Sequence, residues 1–448
     1  MKALIWLELK KKIKQPKTWF LIVMIFIISI LAIKDYRMEA MRDTVNYFDS
    51  LGEVIEDISC SRYGRYLSEV EGTSMYETAR KNYELIYNTG TQIRVNGQKN
   101  DYKEANRLAA FSWLLLAKDR AQKEGGIREA LFNEQAKDIW ESVSGGIEFE
   151  EVDFKPPFGL RGIWEEYNLF LLNAKYYNYL YQHDLEPIPN RYEIGSMTFL
   201  YLYFNKIIPM LLGIIVLILT FDSINEDWLS GSIKLALTQP FSRGKYILSK
   251  IIVGVLHSTF VVLVPVFLIT IVFGFFDSFE NYNYPVLFLK DGFTSFEPIP
   301  NYIEFDPGYH GFNLHLGISL FSGYPKGEGY VNSRIDLIPL AQFLLLTILL
   351  IILFIIFCTT LNVLISSMIK DKITGFIIAG GITLIGMTLS SKLVTEYRCN
   401  LSPFSMNNPV RILDGTYNVT PLVAILILVV TSLILFTINV LCFKSKDL

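Results

Sequence analysis

The sequence predicts an all-α polytopic membrane protein: six transmembrane helices, with a large, mainly helical extracellular domain between helices 1 and 2. Three observations carry that prediction. Of 448 residues, 51% are hydrophobic and only 19% charged, with a mean hydropathy of +0.33. Six separate apolar runs approach the length a bilayer demands, and basic residues collect in alternate connecting segments. Such bulk apolarity lies outside the range of soluble globular domains. The net charge of -3 is small and locally segregated, so it gives no case for nucleic-acid binding or an acidic substrate.

A helix needs roughly 20 apolar residues, at about 1.5 Å of rise each, to cross about 30 Å of hydrocarbon. Residues 199–221, 247–276, 337–365, 373–391 and 421–443 meet or nearly meet that length. Residues 19–33 are shorter, but Lys17 and Lys34 flank them and can reach the two interfaces, and Trp19 is a typical interfacial anchor. A signal peptide is the competing reading of this first run. Against it, Lys34, Asp35, Tyr36 and Arg37 offer no small-residue cleavage site. The preceding residues 1–18 mix Leu4, Ile5, Leu7, Leu9 and Ile13 with lysines, the pattern of a helix lying in the interface, with Pro16 marking the bend.

Orientation follows from the short loops. The leader carries six lysines, residues 222–246 three basic groups, 366–372 two, and the tail 444–448 two. By contrast, the segment 277–336 has eight acidic residues against three basic ones. The positive-inside rule therefore predicts cytoplasmic N and C termini, in keeping with an even number of spans. Residues 34–198 then form the extracellular domain, 277–336 a second extracellular loop whose stretch 312–321 suits the membrane surface, and 392–420 an extracellular hairpin. Within the domain, Ser74 and Glu77 have capping-box spacing, helical periodicity follows to Gly90, and further helical patterns cover 101–124, 127–143 and 163–182. The apolar run 113–117 is too short to span and is expected in a core.

Four cysteines fit neither a disulfide framework nor a zinc site. In this topology Cys60 and Cys399 both fall outside, where a bridge between them would tie the domain to the last hairpin. Lys206, about two turns into the second span, and His257, near mid-depth of the third, are candidate pathway residues because charge within a span is costly. Each has an ordinary alternative: Lys206 reaching the outer interface, and a neutral His257 bonded to a neighbouring helix.

The cytoplasmic loop reads FDSINEDWLSGSIKLALTQPFSRGKYILSKII over residues 221–252. Asp222, Glu226 and Asp227 sit at the start of a short helix, where carboxylates suit the positive end of the dipole. Gly231 interrupts it, Ile233, Leu235 and Leu237 form an apolar face, Pro240 stops the pattern, and Arg243, Lys245 and Lys250 lead into the third span. This is an amphipathic elbow built from rigid pieces.

The ordered string resembles the loop of ABC transporter permeases of the type-2 (ABC-2) exporter class, which tend to show Glu, Gly-Thr-Ile-Lys, Leu-x-x-Pro, Ser-Arg and a downstream Lys. The matching positions are Glu226, Gly231, Ser232, Ile233, Lys234, Leu237, Pro240, Ser242, Arg243, Lys245 and Lys250, with Ser232 where Thr is commoner. The lysine-rich leader, the six-span order and the polar hairpin with Asn408-Pro409 extend the resemblance; the interior of 35–160 does not. The resemblance implies a permease that moves or extracts an amphipathic or hydrophobic substrate, such as an antimicrobial peptide or a lipid-like molecule, at the membrane of a bacterial cell. It also implies that Asp222, Glu226, Gly231, Lys234, Pro240, Arg243 and Lys245 couple to a separate ABC ATPase. No Gly-x-x-x-x-Gly-Lys-Ser/Thr phosphate loop occurs in the sequence, so ATP and Mg are expected on that partner and no cofactor on this chain. Six spans imply a second permease copy or a sister permease. An ABC-type sensor or immunity component that detects an extracellular ligand fits the same sequence. An intramembrane enzyme does not, because the four histidines form no His-Glu-x-x-His array.

Overall fold

A computed structural model describes residues 2–42, 47–124, 126–154, 165–188, 194–231, 233, 242–277, 279–289, 335–393, 401–414 and 419–444. It is 85% helical. Among the described residues, six helical stretches are long and apolar enough to cross a membrane: span 1 Pro16–Met38, span 2 Ser196–Leu229, span 3 Arg243–Phe276, span 4 Leu340–Met368, span 5 Lys372–Ser390 and span 6 Pro421–Lys444. A leader helix α1 (Lys2–Ile13) precedes them. Pro16 is the first residue of the next helix, α2 (Pro16–Arg42), a position where its missing N–H is no loss. Ile373, Ile377, Leu384 and Ile385 on span 5 are all exposed, as side chains solvated by lipid tails are.

Between spans 1 and 2 the described residues build a helical body: α3 (Tyr47–Ile58), α4 (Arg65–Val70), α5 (Tyr76–Gln98), α6 (Tyr102–Glu124), α7 (Gly126–Val143) and α8 (Glu165–His183). Helix α6 is its centre, packed by α5, α7 and α8. The run Trp113, Leu114, Leu115, Leu116 and Ala117 is buried there. Two details differ from the sequence reading. Helix α5 begins without a side-chain cap at Met75, and it passes straight through Gly90 to Gln98. Gly90 is instead a packing residue: a Cβ on Gly52 of α3 would stand 2.6 Å from the Gly90 carbonyl oxygen. Backbone cannot swing aside, so Gly52→Leu is expected to push α3 off α5 at a cost of about 1–3 kcal/mol or more. Limited proteolysis should then cut the body near α3 while the spans stay intact.

Residues 285–289 and 335–339 form an element the helical patterns gave no hint of, and 337–339, read from the sequence as the start of the fourth span, belong to it. Strand β1 (Pro285–Leu289) pairs antiparallel with β2 (Ile335–Pro339), Leu287 facing Leu337. The pair links spans 3 and 4 and carries the body, since α8 packs on both strands, Lys175 pairs with Asp336 at 3.4 Å, and the Tyr176 and Tyr284 hydroxyls hydrogen-bond. The stretch 312–321 lies outside the described residues.

Span 2 is not one straight helix. A π turn, Tyr203–Ile207, precedes Pro209, which cannot donate to the carbonyl of Asn205. Asn408 Nδ2 donates to that carbonyl at 3.4 Å and Asn407 Nδ2 to the carbonyl of Pro209 at 2.9 Å. The polar hairpin between spans 5 and 6 thus supplies a donor to the carbonyl that the proline leaves without its i+4 partner, and a second one a turn further on.

Candidate functional site

The elbow begins in the last turns of span 2 and is short. Asn225–Leu229 forms one helical turn and a half, ended by Gly231 at φ +68°, a left-handed conformation that glycine adopts without strain. Ile233 is buried with Ile224, Tyr246, Ile247, Ile251, Val363 and Phe443 in a small core beneath the elbow. Lys234 and Pro240 lie outside the described residues.

Two charge clusters lock this elbow. In the first, Asp222 is nearly enclosed and accepts from Lys12 at 3.1 Å and Lys17 at 2.8 Å, with Lys372 at 3.4 Å. Glu226 beside it meets Lys11 at 3.1 Å and Lys12 at 3.6 Å, and accepts from Gln15 at 3.5 Å. In the second, Lys250 sits between Asp227 at 2.6 Å and Glu8 at 3.1 Å, and the Tyr246 hydroxyl also donates to Asp227. Through these two clusters, ion pairs tie the leader and the elbow to the starts of spans 1, 3 and 5. Burial disfavours the charge of Lys11, but the hydrogen bond and charge of Glu226, with Glu8 and Asp227 behind, hold its pKa above the ordinary lysine value.

Neutral hydrogen bonds complete the lock. Ser366, at the end of span 4, accepts from the backbone N–H of Ile224 at 3.0 Å and of Asn225 at 3.2 Å, and donates to Asn225 Oδ1 at 2.6 Å. These are the orphan donors of the elbow helix, which has no side-chain cap of its own. Arg243 donates to the carbonyls of Phe443 at 3.3 Å and Lys444 at 2.8 Å, closing the C-terminal end of span 6 with a cation, as the helix dipole favours. Lys245 is exposed.

The sequence-predicted residues thus divide. Asp222, Glu226, Gly231 and Arg243 come together at one end of the bundle, whereas Lys206 is exposed on the π turn, about 16 residues or roughly 24 Å up span 2. His257 is buried and meets Thr18 of span 1 at 3.0 Å. Cys60 is a free, exposed thiol 3.7 Å from the Tyr83 hydroxyl, and Cys399 lies outside the described residues. Sequence reading missed Glu8, Lys12, Lys17, Ser366 and Lys372 as members of the cluster. The available signal was charge complementarity: a leader with six lysines and an elbow with three acids have opposite sign. Among the described residues, no group of three or more His, Cys, Asp or Glu is placed to hold a metal ion.

A multi-pass helical membrane protein whose second and third spans meet in an ion-locked elbow is the class that these features define. Residues 2–448 match the family described as ABC-2 family transporter protein, and the chain belongs to that family. It is accordingly a membrane component of an ABC transporter and not itself an enzyme. No curated protein and no solved structure matches the chain.

Proposed function

We propose that this chain is the permease subunit of an ATP-driven exporter, and that the elbow 222–246 receives the stroke of a separate ATPase subunit. The observation that carries this reading is the contrast between the two sides of the elbow. Behind it, Asp222, Glu226 and Asp227 are gripped by Lys11, Lys12, Lys17 and Lys250. At its tip, Leu229 is 71% exposed, followed by exposed Ser230 and Gly231. An apolar tip on a rigid backing suits insertion into a groove of a soluble partner. Force applied there passes to several spans together, because the ion pairs tie leader and elbow to the starts of spans 1, 3 and 5; that is the geometry of a domain-scale switch rather than a local loop motion.

ATP with Mg would be bound and hydrolysed on the partner, which supplies the work. In this chain the elbow end and both termini face the cytoplasm, which puts the helical body outside the cell, where it contacts substrate or shapes the exit. A second permease copy or a sister permease completes the pathway, and membrane lipid surrounds it. The cargo is amphipathic or hydrophobic.

Leu229→Asp tests the docking. The exchange is at an exposed tip, so thermal stability in detergent should stay within about 0.5 kcal/mol of the parent. Copurification from native membranes of a chain carrying a phosphate loop should fall at least tenfold, with the ATP turnover of the assembly falling alongside. Unchanged recovery and turnover would remove the coupling assignment. ATP-dependent efflux into or out of sealed vesicles separates an exporter from a sensor, which would bind ligand with no flux.

A further inference from the structure

A second polar cluster lies among the spans. At Gly254 of span 3, spans 2 and 4 come close: a Cβ there would stand 2.7 Å from Thr359 Cγ2 and 3.2 Å from Thr220 Cγ2. Asn362, one turn beyond Thr359, donates from Nδ2 to Thr220 Oγ1 at 2.9 Å. His257 and Ser258 follow Gly254 by three and four residues. Helical side chains lean back over the turn N-terminal to their own Cα, so both lie on the side of span 3 that carries Gly254. His257, Ser258 and Thr359 are 0% exposed and Asn362 1%.

The hydrogen bonds fix the histidine tautomer. Thr18 Oγ1 donates its one hydrogen to the carbonyl of Lys12 at 2.7 Å. Its contact with His257 Nε2 at 3.0 Å therefore requires the proton on Nε2, and Nδ1 carries the free lone pair. Among the described residues, His257 Nδ1, Ser258 Oγ, Thr359 Oγ1 and Asn362 Oδ1 have no hydrogen-bond partner. The first and last of these only accept, while the two hydroxyls can accept or donate. Four such atoms facing hydrocarbon would each bear the full desolvation penalty.

We infer that these four atoms line an internal hydration site, in which a small group of water molecules donates to His257 Nδ1 and Asn362 Oδ1 and bridges the Ser258 and Thr359 hydroxyls. A buried water needs two to four polar partners, and the cluster supplies them. A bound cation would meet the same acceptors, but the ammonium groups of Lys12 and Lys17 act on the ring and oppose it. Water carries no such penalty. The consequence is mechanical: spans 2, 3 and 4 meet here through glycine, hydroxyls and solvent, so they can shift without opening a tightly interlocked apolar core. This inference does not depend on any partner subunit.

Solid-state NMR of the full chain in lipid bilayers, with 15N-labelled histidine and the ring signals assigned by their loss in His257→Gln, tests it. The expected result is a neutral ring protonated on Nε2, with magnetisation passing from water to Nδ1. A proton on Nδ1, or no transfer from water, would overturn it. Shifts that appear only when sodium replaces choline in the buffer would assign the site to a cation and overturn it likewise. A second readout does not use the ring: Thr359→Val and Ser258→Ala should lower the thermal midpoint by removing water ligands, whereas a dry seam would respond with a higher midpoint.

Discussion

Asp222→Ala is expected to leave little monodisperse protein after extraction, the largest single-residue effect on stability in this chain. The carboxylate is 5% exposed and faces the ammonium groups of Lys12, 6% exposed, and Lys17. Among the described residues its removal leaves Lys12, with a side chain 6% exposed, facing Glu226 alone at 3.6 Å. Breaking a buried ion pair by deleting one partner costs about 3–5 kcal/mol, mostly the penalty of the charge left behind. The cause can be separated from simple loss of packing by pairing the exchange with Lys12→Met. If the stranded charge is the problem, the double variant should recover most of the monodisperse fraction and thermal midpoint that the single variant loses. A double variant as poor as the single one would place the effect in packing instead.

Lys250→Met is the second large effect. One ammonium serves two carboxylates, Asp227 and Glu8, from span 3 to the elbow and the leader. Taking it away sets two inward-facing carboxylates against each other, and destabilisation of about 3–5 kcal/mol is again expected. Adding Asp227→Asn and Glu8→Gln removes the stranded charges, and thermal stability should return. Coupling should not. A buried ionic network is weak evidence for stability as such, and its best-attested use is to hold elements in one register. In the assembly with an ATPase proposed above, the neutral triple variant should therefore fold yet show ATP turnover that no longer responds to conditions driving transport. Full coupling in that variant would mean that packing alone keeps the leader and elbow aligned.

Both effects concern residues whose importance was only half visible in the chain. The elbow string drew attention to Asp222 and Glu226, and to Lys250 as a downstream match. The leader lysines pointed to an interfacial helix and to the orientation of the termini, not to ion pairs, since Lys10, Lys11, Lys12 and Lys14 are equivalent as a pattern. In the fold they are not: Lys12 is buried against Asp222, whereas Lys10 and Lys14 are exposed. His257 shows the same division. Its mid-span position marked it as a candidate pathway residue, with a bond to a neighbouring helix as the alternative. The Thr18 contact and the bare Nδ1 depend on how spans 1 and 3 cross.

Arg243 and Gly90 are instructive in a different way. Each carried a local signal, a basic residue at the start of a span and a glycine after a helical run. In the structure Arg243 closes the distant end of span 6, and Gly90 lets α3 approach α5. A basic residue near a helix end and a glycine in a periodic run each admit two uses, and which one applies depends on what packs alongside. The strand pair had no amphipathic alternation to betray it, because all five residues of β1 are buried.

Sequence by itself determined the solvent of this protein and the number of its spans, because apolar runs and interfacial lysines report directly on transfer between water and lipid over a few turns of helix. It also marked the elbow, whose acids, glycine and basic residues follow one another in a fixed order. Tertiary structure decided which charges meet. Asp222 lies 210 residues from Lys12 and 205 from Lys17, and no local pattern pairs either lysine with it. Only packing that removes water from one ammonium and leaves another wet makes them different, and that depends on contacts across the whole chain.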